Sequence, residues 1–270
     1  MLVEAAHLGG VGLRAENEGF LPYLYISTES RPFSLPQAKA IGLRDALVEY
    51  HREYGTGNAY RIERLKECGS PVVGGISGWN YRCNLPECPL CYRRRAYRKV
   101  AESKRLDRVL QESGFGSQML TITVPDVEDA ELQARYAALS EANSRLLRSK
   151  TYRNHFSGAA RCIETSVADT GCYHVHVHLL VVFVFKNQPD IMQRLLERYF
   201  PDATALYFSE PEHGVHTARF AAYALKLPEG VTPAEWLNIR TMTQGKNPLT
   251  FSGVFRQARQ KTNQQQKRIQ

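Results

Sequence analysis

Residues 172–185 read CYHVHVHLLVVFVF, and no other stretch restricts the fold as much. Histidine and valine alternate, and the run then turns almost wholly apolar. Period-two alternation with β-branched residues predicts a strand. Residues two apart share a face of a strand. His174, His176 and His178 therefore line one side, while Val175, Val177 and Leu179 enter a core on the other. Imidazoles at that spacing can converge on one metal ion. A chance cluster on a sheet face is the other reading. Three alternating histidines out of eight in the chain favour a metal or catalytic site.

The sequence just before supplies a partner strand. GAARCIETSVAD (158–169) puts Arg161, Ile163 and Thr165 on one face and Cys162, Glu164 and Ser166 on the other. The turn Asp169-Thr170-Gly171 joins it tightly to the histidine strand, which predicts an antiparallel hairpin. Such a hairpin can hold Glu164 across from the histidines. QMLTITVPD (118–126) predicts another strand, and residues 128–150 a long helix. Asp190–Phe200 predicts a second helix, TALYFSE (204–210) a short strand, and the segment from Gly214 to Pro228 a further helix. The order from Gln118 is β-α-β-β-α-β. This predicts an α+β fold with an antiparallel sheet and a split βαβ pattern, ferredoxin-like or RRM-like. Two helices cover one face, and the opposite face is left for a substrate. Thr232 to Glu235 reads as a capping box that opens a helix containing Trp236.

Cysteines make the second constellation. Cys68, Cys83, Cys88 and Cys91 are spaced C-x14-C-x4-C-x2-C. Four thiolates complete a closed tetrahedral Zn²⁺ site, which is usually structural. The Cys88/Cys91 pair also has redox spacing, and Cys68 is the ligand whose distance leaves room for another donor. Cys162 and Cys172 are assigned no role. A helix follows Cys91 and carries Arg93, Arg94, Arg95, Arg98 and Lys99. It is either a solvated face or a rail for DNA phosphates. Trp79, Tyr81, Tyr92 and Tyr97 are candidates to stack on unpaired bases, or to fill the core of a small zinc module.

The formal charge of +8 points to a polyanionic partner. No apolar run approaches the roughly eighteen residues of a membrane span. The start of the chain lacks a secretory pattern, and the cysteines are unevenly grouped, so a reducing cytoplasm is expected. The reading divides the chain into four parts. Residues 1–66 form a mainly helical appendage, with helices over 35–54 and 59–67 and short strands around 20–28. Residues 67–114 form the zinc module with its basic helix, and 115–245 the sheet domain. Residues 246–270, with six basic residues and no acidic one, form a loose basic tail.

Three motifs stand in order: MLTITVP, then YHVHVHLLVVF, then AAYALK. Together they resemble the HUH endonuclease superfamily, and within it the replication initiators of rolling-circle plasmids. The resemblance covers roughly residues 68–228. It implies that His176 and His178 are metal ligands, with Glu164 first and His174 second as third ligand, for Mg²⁺ or Mn²⁺. Tyr223 matches the nucleophile, and Lys226 and Arg219 are cations near it. The implied activity is nicking of single-stranded or unwound origin DNA. It leaves a 5′-phosphotyrosyl link and a free 3′-hydroxyl, and strand transfer follows. The implied partners are origin DNA, a host helicase and polymerase, and a second copy of the chain. Some relatives activate a closing water with a carboxylate one turn before the tyrosine. Arg219 stands there, so the closing step would fall to a carboxylate from elsewhere, such as Glu210 or Glu212, or to a second subunit, with His213 and His216 either proton carriers or simply exposed. A single-strand transposase of the same superfamily and a non-catalytic zinc-containing DNA-binding regulator are the competing readings. An RNA-binding or structural zinc protein is a third.

Overall fold

The computed structural model describes residues 37–71, 81–111, 113–183, 189–209 and 211–269. The strands expected around 20–28, the aromatic residue Trp79 and the carboxylate Glu210 lie outside these residues.

Three helices come first. α1 (Gln37–Tyr54) and α2 (Ala59–Glu67) are parted by Gly55, whose φ of 60° is the left-handed conformation that glycine adopts without strain. Asn58 caps α2, its side chain accepting from the Arg61 amide. α3 (Pro89–Gln111) starts ahead of Cys91 rather than after it. Pro89 suits the first helical position, where the missing N–H has no partner to lose. After it come β1 (Gly116–Thr123), α4 (Asp129–Arg148), α5 (Lys150–His155), β2 (Gly158–Val167), β3 (Tyr173–Phe183), α6 (Pro189–Tyr199) and β4 (Ala205–Phe208). The remainder is β5 (Glu212–His213), α7 (Thr217–Ala224), α8 (Pro233–Met242), β6 (Leu249–Phe251) and α9 (Val254–Ile269). The single helix expected over 128–150 is two, because Ser149 leaves helical geometry and caps α5.

The architecture is α+β around an antiparallel sheet in the order β4-β1-β3-β2-β6, with β5 pairing β1. β3 runs between β1 and β2. Its register sets Thr121 opposite His178 and Thr123 opposite His176 on one side, and Glu164 opposite His176 on the other. Val175, Val177, Leu179 and Val181 enter a core shared with α4 and α6.

The other face is not free along its whole length, which corrects the expectation of an open substrate face. Past His178 the strand stops alternating, and Leu180 and Val182 are buried on that face with Ala160 and Cys162. They are covered by α3, α7 and α9 through Ala96, Phe220, Ala221 and Phe255. Only the histidine end is left for chemistry.

The expected loose tail is also corrected. β6 pairs β2, with Phe251 opposite Ala160, and α9 packs on the sheet through Phe255 and Ala258. Apolar residues are few here but fall at helical spacing. Gly253 makes the turn: with φ of 57°, a Cβ there would lie 2.0 Å from the Ser157 carbonyl oxygen. Residues 37–66 likewise do not stand apart. Ala40, Leu47 and Leu65 share a core with the four cysteines, Leu227 and Trp236.

α7 is short and its cap residue His216 makes no side-chain cap hydrogen bond. The cap comes from α3 instead. The Asp107 carboxylate accepts from the Thr217 amide at 2.7 Å and the Ala218 amide at 2.9 Å. Burial raises the Asp107 pKa, and these bonds oppose the rise. Asp107→Ala should lower stability by about 1–2 kcal/mol, as losing a helix cap does. Urea unfolding measures this, and Asp107→Asn, which keeps one acceptor, should recover part of it.

Candidate active site and cysteine cluster

The site is assembled from three strands and the end of α7. Thr121 and Thr123 point to the same face as the histidines. Thr121 Oγ1 lies 3.0 Å from His178 Nδ1, and Thr123 Oγ1 lies 3.1 Å from His176 Nδ1. Each hydroxyl ties down one ring nitrogen, which leaves Nε2 for the site. The threonine alternation in LTIT was the sequence signal for this pair, and its purpose emerges only from the register of β1 on β3.

His178 is buried, and its Nε2 lies 2.7 Å from Glu164 Oε2. The other Glu164 oxygen lies 3.1 Å from Lys226 Nζ. Burial alone would raise the Glu164 pKa, but the hydrogen bond and charge of His178, helped by Lys226, bring it below the usual value. The His176 pKa is lowered, first by burial and then by His178 beside it, so its ring is neutral near pH 7. His174 stacks on His176 with ring centroids 5.7 Å apart, but its Nδ1 faces Asp126. Glu164 is thus beside His178, and His174 is turned to a different carboxylate.

Tyr223 comes to this cluster from α7. Its ring stands nearly perpendicular to His178, with centroids 5.0 Å apart. Lys226 Nζ lies 4.8 Å from the Tyr223 ring centroid, so one ammonium touches both the aromatic ring and Glu164. Burial raises the Tyr223 pKa, Glu164 adds to the rise and Lys226 opposes it. At neutral pH the phenol keeps its proton. Cys162 Sγ donates to the Ala224 carbonyl and fixes the end of α7 on β2, a role that the sequence did not signal.

On the far side of Tyr223 is a small cavity lined by Glu212, His216, Arg219 and Phe220. The Arg219 guanidinium is bound by Glu212, which also lies 3.2 Å from His216. Arg219 therefore brings little net charge to the phenol. His213 lies in β5 opposite Gly116 and is exposed.

Among the described residues, the four cysteines alone have three or more potential ligand atoms all within 4.8 Å of one another. The Sγ–Sγ distances are 3.6 Å for Cys68–Cys91, 3.7 Å for Cys83–Cys91 and 3.6 Å for Cys88–Cys68. Zn–S bonds of about 2.3 Å in a tetrahedron separate sulfurs by roughly 3.8 Å. The cluster, with Cys68 included, can hold a metal such as zinc. At the histidine strand, His178 and Glu164 meet and His176 is further off. The donor types there, two imidazoles with their Nδ1 atoms held and one ionised carboxylate, still suit a divalent cation.

The five residues of α3 expected to meet DNA phosphates divide. Arg93 lies over the Tyr97 ring, and its Nη2 donates to the Tyr97 hydroxyl. Lys99 pairs with Glu102 at 3.0 Å. Arg95 donates to the Pro86 carbonyl. Arg94 and Arg98 are exposed. Tyr92 packs edge-on to Trp236 and so is a wall, not a free stacking platform.

Residues 78–192 match the family described as "Replication protein". That segment is similar to a Rep-type replication-protein domain. The chain is 28% identical over 179 residues to "Protein rep" of Streptococcus pneumoniae serotype 2, a match covering 65% of this chain and 50% of that protein. It is 27% identical over 136 residues to "Protein rep" of Lentilactobacillus hilgardii, covering 46% of this chain and 42% of that one. The chain thus spans about half the length, or less, of these curated relatives. The C-terminal domain of the Mycobacterium tuberculosis MgtC protein is 21% identical over 39% of this chain with a TM-score of 0.22, too slight a likeness to bear on the fold. The Rep match contains Cys83, Cys88, Cys91, Glu164 and the three histidines. Tyr223 lies beyond its end, so the tyrosine's place in the site rests on geometry.

Proposed function

We propose that the chain is a plasmid rolling-circle replication initiator that nicks single-stranded origin DNA with Tyr223. The observation that carries this is the meeting of Tyr223, His178, Glu164 and Lys226 from separate parts of the chain. A structural core needs no neutral phenol packed against an ion-paired carboxylate and an imidazole. Perturbed ionisable groups gathered in this way are characteristic of reactive sites.

His176, His178 and Glu164 would hold a divalent cation, magnesium or manganese. When bound, it would polarise the scissile phosphate as a Lewis acid. Tyr223 supplies the nucleophile. Its phenolic oxygen bonds to phosphorus as the bond from phosphorus to the 3′ oxygen breaks. The phenol gives up a proton and the departing 3′ oxygen gains one, so no co-reactant is consumed. The products are a 5′-phosphotyrosyl link and a 3′-hydroxyl. The hydroxyl can prime a host polymerase, and the link can pass its phosphate to another 3′-hydroxyl. Lys226 favours the developing phenolate while holding Glu164 in place. The cysteine cluster is assigned to structural zinc, and α3 to phosphate contacts.

The test uses a randomised single-stranded DNA library with Mn²⁺. Complexes that survive boiling in detergent are digested and sequenced by mass spectrometry. A nucleotide-bearing peptide containing Tyr223 is expected. Absence of any covalent complex would leave a DNA-binding protein, and an adduct on another tyrosine would move the nucleophile.

The threonines give a second check. Thr123→Val keeps the shape but frees His176 Nδ1. Losing such an outer hydrogen bond costs metal affinity, typically about 10- to 100-fold. Titration with Mn²⁺ followed by electron paramagnetic resonance should show that weakening for Thr123→Val and for Thr121→Val.

A further inference from the structure

A second cationic site lies beyond the end of α7. A cleft of about 490 Å³ opens between α3 and the segment joining α8 to β6. Its lining includes Arg95, Arg98 and Lys99 from one wall, and Arg240 and Lys246 from the other. Among the described residues, no carboxylate lines it. The two walls lie far apart in sequence, and the second includes Lys246, where the loose tail was expected to begin.

The arrangement at its base is unusual for a cluster that only faces solvent. Arg95 Nη2 and Arg240 Nε both donate to one carbonyl, that of Pro86, each at 3.1 Å. Neither guanidinium has a carboxylate within ion-pairing distance among the described residues. Arg240 is half-buried and lies 4.8 Å over the Tyr92 ring centroid. Its pKa is lowered, first by burial, with Arg95 adding to the fall while Tyr92 and the Glu87 carboxylate oppose it. Two cations held near one neutral oxygen repel each other, and the nearby Glu87 carboxylate is paired with Arg61, so a partly buried arginine with no carboxylate in direct contact is costly. An anion between them would offset both terms, and the planar fork of arginine suits phosphate oxygens. Asn84 and Asn247 at the rim add amides that can meet base edges.

We propose that this cleft binds the phosphate backbone of single-stranded DNA as the strand continues past Tyr223. Leu225, the residue that ends α7 two positions after Tyr223, lines the cleft. The inference rests on the proposed nicking function for the identity of the strand. The arginine pair, its shared carbonyl and the absence of carboxylates among the described lining stand without it.

The test compares two double variants with the same change of charge. Arg98→Glu/Lys246→Glu reverses two exposed cations of the cleft. Arg148→Glu/Lys150→Glu reverses two exposed cations on α4 and α5, across the sheet. Binding of a fluorescent mixed-sequence single strand is measured by anisotropy over a range of salt. Both proteins are first required to melt like the parent. The cleft variant should bind about tenfold more weakly, and its salt slope should fall by roughly 0.7 for each phosphate no longer neutralised, about 1.4 for two. The control should stay close to the parent. An unchanged slope in the cleft variant overturns the proposal, and so does an equal loss in the control. Equal sensitivity toward duplex DNA or polyglutamate also overturns it, since the cleft would then be a general anion surface. The two readings fail separately. An adduct at Tyr223 with an insensitive slope removes the cleft and keeps the nuclease. A sensitive slope without any adduct removes the nuclease and keeps the cleft.

Discussion

Tyr223→Phe is expected to abolish covalent capture of single-stranded DNA while leaving its binding intact. The change deletes one oxygen. No hydrogen bond to that oxygen is formed within the described residues, so no buried partner is stranded. The ring keeps its perpendicular contact with His178 at 5.0 Å and its place under Lys226. Stability should therefore change by no more than about 0.5 kcal/mol, as at sites where no packing or bonding is removed. Chemistry is another matter, because phenylalanine has no atom that can bond to phosphorus. The adduct should vanish from detergent gels, while anisotropy reports an affinity near that of the parent. His178→Ala makes a useful contrast. It removes the partner of both Glu164 and Thr121, so it should also disturb the fold locally. If adduct forms with Tyr223→Phe, the tyrosine is not the nucleophile, and its position beside the histidines would be packing.

The histidine face, the hairpin and the cysteine set were legible in sequence because each rests on short spacing. A period of two fixes which side of β3 the imidazoles occupy, and Asp169 to Gly171 permit few connections other than a tight turn. The capping box at Thr232 is equally local and is present, with the Glu235 carboxylate accepting from the Thr232 amide. What could not be read depends on contacts between distant residues. Asp107 caps α7 from 110 positions away. Arg95 and Arg240 meet on Pro86 only because side chains of α8 reach the segment that leads into α3. The C-terminal segment reads as loose because its composition is polar and basic. Four well-placed residues, Leu249, Phe251, Phe255 and Ala258, bind it to the sheet. Composition averages over a segment, whereas docking depends on which few positions face inward. The Glu164 pKa is another case, since its direction is set by His178 and Lys226, which converge from two separate parts of the chain.

Cys88→Ser should cost more stability than any other single change considered. Cys88 is fully buried and its sulfur lies 3.6 Å from that of Cys68. Serine is shorter and offers a hard hydroxyl in place of a thiolate, so the tetrahedral set would lose a ligand. Structural zinc contributes on the order of 10 kcal/mol to the folding of small modules. The loss would not stay at the cysteines. The adjacent Glu87 pairs with Arg61 of α2 at 2.6 Å, and its carbonyl accepts from the Trp236 indole of α8. Leu47 and Leu65 rest on the same cluster. Release of the metal should therefore loosen α1 and α2 and expose Trp236, while the core formed by β3 with α4 and α6 holds longer. Zinc content near zero, a lower melting temperature and early proteolytic cleavage between residues 37 and 71 are the expected signs, and a strong chelator should reproduce them in the parent. A Cys88→Ser protein that melts like the parent would mean that the four sulfurs are held together by apolar packing, and that the fold around Trp236 needs no metal at all.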